Sequence, residues 1–479
     1  MMITLQDNRG RFTEGNKVLL NDKELKALQK LSTKTVWDLV LDDNVMFVES
    51  SLGRKNQNNK DRKVVEIGPF IQENKEIHAC AYTENVMGFI SVDGVEIFIT
   101  SRFEELGETK FLMYILSQVM GWSLTKEMVS ENPHTEALKD LQYMLFPKFL
   151  KEALTQGLIK TYKRIDYNDM KVRGRLDIPR QISHNTPFNG RIAYSSREYM
   201  EDNDVTQLIR HTIEFIKQEY VSRRDKSNDN HIFDQVTNNA IDIIYNATPG
   251  YNTKDFSRIL NNNIKNPVTH PYYTKYRALQ ELCISILKRK KIGLGGKNKK
   301  GVHGILFDGA WLWEEYISSV LNKKRDDSCK ISFRHYTDKN SHFSLFEGFS
   351  QKIIPDYLSD DYNETDNKAT AVADAKYMRL ENHQHLQGEQ AYSVYYKTIM
   401  YMHRFNSKKG FIFFPIETLS EKKEHKIENL SIAGTGSVMH LAGFRIPKVD
   451  GKCKYDEFKR QMEESEKEFC KAVTDRLNP

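Results

Sequence analysis

The chain has 479 residues, 39% of them hydrophobic and 28% charged, and a net charge of +6. That length supports two or three domains with cores of their own, and the composition excludes a largely disordered chain. No apolar run reaches the length of a membrane span, residues 1–12 lack the apolar core of a signal peptide, and five scattered cysteines suit a reducing cytoplasm. The mildly basic balance permits nucleic-acid binding without demanding it.

Residues 1–108 read as a small β-rich domain. Residues 36–53 alternate well enough for a strand or two, and the polar stretch 54–63 reads as a loop. Residues 88–100 form two strands around Asp93-Gly94, a dipeptide suited to a tight hairpin because both central residues must take positive φ. From residue 109 the apolar spacing turns helical, at 110–122 and 135–154. Two β-like pieces follow at 158–167 and 171–178, then helices at 205–224, 233–247 and 276–291, so residues 109–300 read as a mainly helical middle domain with a β-hairpin. Within it Arg173 and Arg175 flank Gly174 and share a strand face, where they either contact a phosphate backbone or form surface ion pairs. The basic, glycine-rich run 288–301 reads as a linker in preference to a DNA-contacting loop. Its GLGGKN core lacks the glycine spacing and the hydroxyl residue of a phosphate loop, so no nucleotide site is expected in this chain.

Residues 301–479 read as an α/β domain. An amphipathic helix at 306–321 puts Leu312, Tyr316 and Val320 on one face. Strands are expected within 329–338 and 342–349, then a hairpin from two short apolar runs, 353–358 and 369–378, joined by a polar segment. A helix at 388–405, buried strands at 410–416 and 437–449, and a charged helix at 455–477 complete the chain. The last helix carries one apolar stripe (Phe458, Met462, Phe469, Val473) that packs on the domain or, less readily, on a partner helix.

The hairpin carries the chemistry. Side chains two apart on a strand share a face, so Asp374 and Lys376 point one way while Ala373 and Ala375 point the other, and Asp356 at the end of the first run can join them. Two carboxylates and an ammonium are what hydrolysis of a phosphodiester by a divalent ion calls for. Asp356 and Asp374 would bind Mg²⁺, with the backbone carbonyl of Ala375 as a third ligand, and Lys376 would orient the attacking water and stabilise developing charge. His383 and His385 lack a third ligand for zinc, and no GxSxG elbow occurs.

At Pro355-Asp356 and Asp374-Ala375-Lys376 the chain resembles the PD-(D/E)xK nucleases. More narrowly, FDGAWLWEEYI, IIPDYL, VADAKYM and YYKTIMYMHRF followed by GFIFFP resemble the McrC family, the nuclease subunit of McrBC-type and LlaJI-type restriction systems. MKVRGRLDI and NVMGFISVDGVEIFITSRF extend the likeness over most of the chain. The resemblance implies an α+β multidomain protein with a C-terminal α/β restriction-endonuclease-like domain that cuts double-stranded DNA. It adds Glu314 as a helix-borne catalytic carboxylate, with Glu315 the register alternative. It also implies a McrB-like AAA+ GTPase partner, met through the N-terminal domain, whose GTP hydrolysis this chain would stimulate. Family members often carry QxxxY on the helix after the lysine. Here Lys397 stands at the glutamine position, with Tyr401 one turn later, and both are candidate DNA contacts. A catalytically silent adaptor that activates a motor ring, or a stand-alone repair nuclease, are the alternative readings.

Overall fold

The structure is a computed structural model that describes residues 2–9, 15–41, 44–48, 61–73, 76–106, 108–120, 133–223, 233, 235–293, 302–322, 333–336, 342–380, 386, 388–417, 427–448 and 455–477. The histidines at 383 and 385, most of the polar stretch 54–63 and the glycine-rich part of 288–301 lie outside these residues. The protein is α+β, with several sheets. By packing it forms two compact units: residues 1–120, 124–138 and 299–479 make the first, and residues 121–123 and 139–298 the second.

The first unit opens with β1 (Met2–Gln6), β2 (Asn16–Leu20), α1 (Asp22–Ser32), α2 (Val36–Leu41), β3 (Asn44–Val48), β4 (Val65–Glu73), β5 (Glu76–Thr83), β6 (Val86–Val92), β7 (Val95–Thr100) and α3 (Lys110–Met120). Two of these are helices where strands were expected or nothing was. At α1 the Asn21 side chain accepts from the N–H groups of Lys23 and Glu24 while the Glu24 carboxylate accepts from the Asn21 N–H, a reciprocal cap that starts the helix. The same device at Thr35 and Asp38 makes residues 36–41 helical despite their strand-like alternation, and among the described residues of that stretch the strand is β3. The β6–β7 hairpin turns at Asp93 (φ +49°) and Gly94 (φ +80°), as the dipeptide predicts.

The second unit holds most of α4 (Pro133–Leu154), then β8 (Thr161–Asp169), β9 (Arg175–Leu176), α5 (Ile178–His184), β10 (Ile192–Met200), α6 (Asp204–Arg223), α7 (Gln235–Ala247), α8 (Phe256–Lys265) and α9 (Thr274–Gly293). Its strands pair in the order β8-β10-β9, and α6 packs against α7, α8 and α9. Strand β9 covers only Arg175 and Leu176, so Arg173 lies in the preceding turn and does not share a strand face with Arg175. Just before it, Gly174 lies close against the Ser195 carbonyl of β10; a Cβ at 174 would stand 2.1 Å from that oxygen, so the position needs glycine.

The chain returns to the first unit with β11 (Val302–Asp308), α10 (Gly309–Asn322), β12 (Phe333–His335), β13 (Ser344–Phe346), β14 (Phe349–Lys352), β15 (Tyr357–Ser359), β16 (Ala371–Ala375), α11 (Gly388–Ala391), a π-helical turn (Tyr392–Tyr396), α12 (Lys397–Arg404), β17 (Lys409–Glu417), β18 (Ile427–Ile432), β19 (Ser437–Ile446) and α13 (Tyr455–Leu477). Strand β11 does not join the strands that follow it. It inserts between β6 and β3 in the sheet β1-β7-β6-β11-β3, which is why residues 1–108 and 301–479, expected as separate domains, pack as one unit. Gly88 and Gly304 let β6 and β11 close: a Cβ on either would fall 2.3 Å from a carbonyl oxygen of the other strand.

The second large sheet of this unit runs β12-β15-β16-β17-β19-β18, with β16, β17 and β19 parallel and the outer pairs antiparallel. One face carries α12 and the π-helical turn, whose Val394, Tyr401 and Phe405 pack with Leu358, Val372, Ile412 and Met439. The opposite face carries α10 and α13, with Trp313 and Tyr316 against Phe444 and Phe469 against Phe413. All four residues of the α13 apolar stripe are buried. Among the described residues no helix is long and apolar enough to cross a membrane.

Candidate active site

The site lies where β15 and β16 begin and end side by side. Tyr357 pairs with Ala373 and Leu358 with Val372, which brings residue 356, one before β15, level with the end of β16. The hairpin is as expected, but its first strand starts at Tyr357, so Pro355 and Asp356 lead into the strand from a loop. Asp356 is fixed by a hydrogen bond across the gap: the Ala375 N–H donates to its Oδ2 at 2.7 Å.

Alternation along β16 puts Val372 and Asp374 on the α12 face, and the chain continues to Lys376 on that face. Asp374 is fully buried, and among the described residues neither of its carboxylate oxygens accepts a hydrogen bond from a neutral donor. Its charge is met only by two ammonium groups, that of Lys376 in contact with Oδ2 and that of Lys397 at 3.8 Å from Oδ1. Lys376 is held in turn by its own N–H, which donates to the Phe413 carbonyl of β17 at 2.8 Å.

Burial pushes the Asp356 carboxyl well above its ordinary range; the charges of Asp374 and Glu314 push the same way, and Lys376 and Lys397 offset them only in part. Two adjacent acids, one of them wholly buried, form a cluster whose charge a divalent cation would relieve. Magnesium needs only one or two protein carboxylates because it retains much of its water, so Asp356 and Asp374 fit it. Among the described residues no group of three or more His, Cys, Asp or Glu side chains is arranged to hold a metal.

The helix carboxylates separate clearly. Glu315 accepts a hydrogen bond from the Trp311 indole at 3.2 Å. Glu314 contributes to the field at Asp356 and meets His335 on β12, whose Nε2 is 2.7 Å from Glu314 Oε1. The Tyr357 hydroxyl donates to the Glu314 carbonyl at 2.5 Å, and the His335 and Tyr357 rings lie 5.3 Å apart. His335 carried no signal in the sequence: it sits in a three-residue strand, and only the tertiary fold brings it to Glu314. For its ring, burial disfavours the charged form, but the hydrogen bond to Glu314 and the charges of Glu314 and Glu315 outweigh it, so the pKa rises.

Of the four residues expected to touch DNA, Lys397 is the one placed at this cluster. Tyr401 is buried, and its hydroxyl donates to the Ile354 carbonyl at 2.7 Å, which ties α12 to the loop leading to Asp356. Arg173 and Arg175 belong to the other compact unit. Arg173 lies over the Tyr167 ring at 5.9 Å and 3.9 Å from Asp169, while Arg175 is exposed.

Comparison with known proteins agrees with the sequence motifs. A search of curated proteins finds no match. Among solved structures, a chain of the refined half-complex from the tetradecameric assembly of Thermococcus gammatolerans McrB AAA+ hexamers with bound McrC is similar at 16% identity and a TM-score of 0.45, covering 97% of this chain and 99% of that one. A chain of the cryo-EM structure of the Thermococcus gammatolerans McrBC complex is similar at 16% identity and a TM-score of 0.30, covering 67% of this chain and 88% of that one. The family model described as McrBC 5-methylcytosine restriction system component matches residues 81–415, well over half of the sequence and inclusive of every residue of the cluster. The chain therefore belongs to the family of McrBC 5-methylcytosine restriction system components.

Proposed function

We propose that this protein is the DNA-cleaving subunit of a McrBC-like restriction system, with a PD-(D/E)xK site formed by Asp356, Asp374 and Lys376 and assisted by Glu314. The observation that carries the reading is the state of Asp374: a fully buried carboxylate met by lysine ammonium groups, beside a second acid, on the end of a central strand. A fold alone gains little from that arrangement, since burying even a paired carboxylate carries a desolvation cost that apolar packing avoids.

Asp356 and Asp374 would hold Mg²⁺, with the Ala375 carbonyl as a third protein ligand. Bound there, the ion supplies charge neutralisation at the scissile phosphate and makes water a competent nucleophile at neutral pH. Lys376 orients that water and stabilises the charge that develops on the phosphoryl oxygens. Asp356 is kept in place by the Ala375 N–H, and Glu314 by His335 and Tyr357, so these side chains need little rearrangement before reaction.

Cutting would depend on a McrB-like AAA+ GTPase that brings double-stranded DNA to the site, in keeping with family membership and with the absence of a phosphate loop from this sequence. Replacing Asp374 with Ala should abolish cleavage in the presence of that partner, GTP and Mg²⁺ while leaving stimulation of its GTPase intact. Undiminished cleavage by the variant rejects the site. Stimulation by the wild-type chain without any cleavage would instead identify an adaptor whose nuclease fold is silent.

A further inference from the structure

Asp374 is approached by two ammonium groups, and the proposed chemistry uses only one. Lys376 leaves from the same strand and meets Oδ2. Lys397 comes from the start of α12, immediately after the π-helical turn, and meets Oδ1 at 3.8 Å. Its ammonium is 5.5 Å from the Tyr401 ring centroid, and Tyr401 is itself anchored to Ile354, so Lys397 is positioned from both sides.

Its side chain is 33% exposed, whereas that of Asp374 is fully buried. Two ammonium groups thus reach the buried Asp374 carboxylate from different elements, one from the strand and one from the helix.

We propose that Lys397 serves as a second cation of this site, sharing with Lys376 the stabilisation of phosphoryl charge during cleavage. The proposal rests on the metal site described above and adds a role for a residue outside it. A fixed ammonium beside the metal ligands weakens metal binding by repulsion and at the same time stabilises the phosphoryl charge during reaction. Removing it therefore moves binding and turnover in opposite directions, which mere loss of packing does not do.

The test is Mn²⁺ binding to the full-length chain, followed by electron paramagnetic resonance or calorimetry, together with cleavage in the presence of the partner ring. Wild type should bind one Mn²⁺ in the cluster and Asp374→Asn should lose it. Lys397→Met should bind Mn²⁺ about tenfold more tightly while cleaving at least about tenfold more slowly. Lys397→Arg, which keeps the charge, should bind Mn²⁺ as wild type does. Unchanged or weaker Mn²⁺ binding by Lys397→Met, with Asp374→Asn still losing the ion, overturns the role of Lys397 alone. Retention of Mn²⁺ by Asp374→Asn removes the metal site and the proposal with it.

Discussion

Glu314 is held by two side chains that the sequence gives no reason to associate with it. His335 and Tyr357 fix its carboxylate and its carbonyl respectively, and the resulting ion pair has a defined pH dependence. Because the folded-state pKa of His335 lies above its unfolded value, the pair contributes stability that is complete below about pH 6.5 and is lost as pH rises through the folded value. Urea denaturation between about pH 6 and pH 9 should show this decline in wild type and a flatter profile in His335→Asn; equal slopes would mean that the pair does not titrate with folding. Cleavage by His335→Asn should also fall, because Glu314 loses the contact that orients it. Asp374 and Lys376 were legible in advance because strand alternation fixes their common face without any tertiary information. Asp356 needed the pairing of β15 with β16, which the two apolar runs indicated. Tyr401 shows the opposite case: an aromatic at helical spacing looks the same in sequence whether it faces DNA or, as here, the core.

At the scale of elements, long periodic segments were readable and short capped ones were not. Helices α6, α9 and α13 follow from apolar spacing alone. The helix α8, FSRILNNNIK, is rich in asparagine, a poor helix former. Tertiary hydrogen bonds support it, such as Asn263 Nδ2 donating to the Asp204 carbonyl at 2.8 Å and Gln280 Nε2 donating to Asn263 Oδ1 at 2.8 Å. In α1 and α2 the decisive signals were single residues, Asn21 with Glu24 and Thr35 with Asp38, which outweigh strand-like alternation because they satisfy N–H groups that the first turn otherwise leaves open. Asn21→Ala should therefore lower the stability of the first unit by about 1 kcal/mol in chemical denaturation. An unchanged midpoint would mean that packing of Ala27, Leu28 and Leu31 alone holds the helix.

For the whole molecule, the unforeseen fact is that the two ends of the chain share one unit. No local pattern foretells that β11 will pair with β6 and β3, since its partners lie far away in the sequence. A buried polar cluster then links the end of β7 to the residue that follows Lys376. Arg102 donates to the Tyr377 carbonyl at 2.9 Å and pairs with the fully buried Asp7 at 3.4 Å, while the Ser101 and Tyr377 hydroxyls are 2.7 Å apart. Burial raises the Asp7 pKa to about 6 even though Arg102 and Arg9 oppose it. Arg102→Ala would leave that acid without its principal cation and should cost about 3–5 kcal/mol, seen as a clear drop in Tm, with Arg102→Lys recovering part of it. A Tm equal to wild type would show that the cluster is not what joins this part of the chain to the site.

The central claim, that Asp356, Asp374 and Lys376 converge around a cation, is tested most directly by a crystal structure of the full chain grown with Mn²⁺ and measured at the manganese absorption edge. One anomalous peak is expected in contact with the Asp356 and Asp374 carboxylates, with the Lys376 ammonium beside it. A cluster free of anomalous density at saturating Mn²⁺, with Asp356 turned away from Asp374, would contradict it.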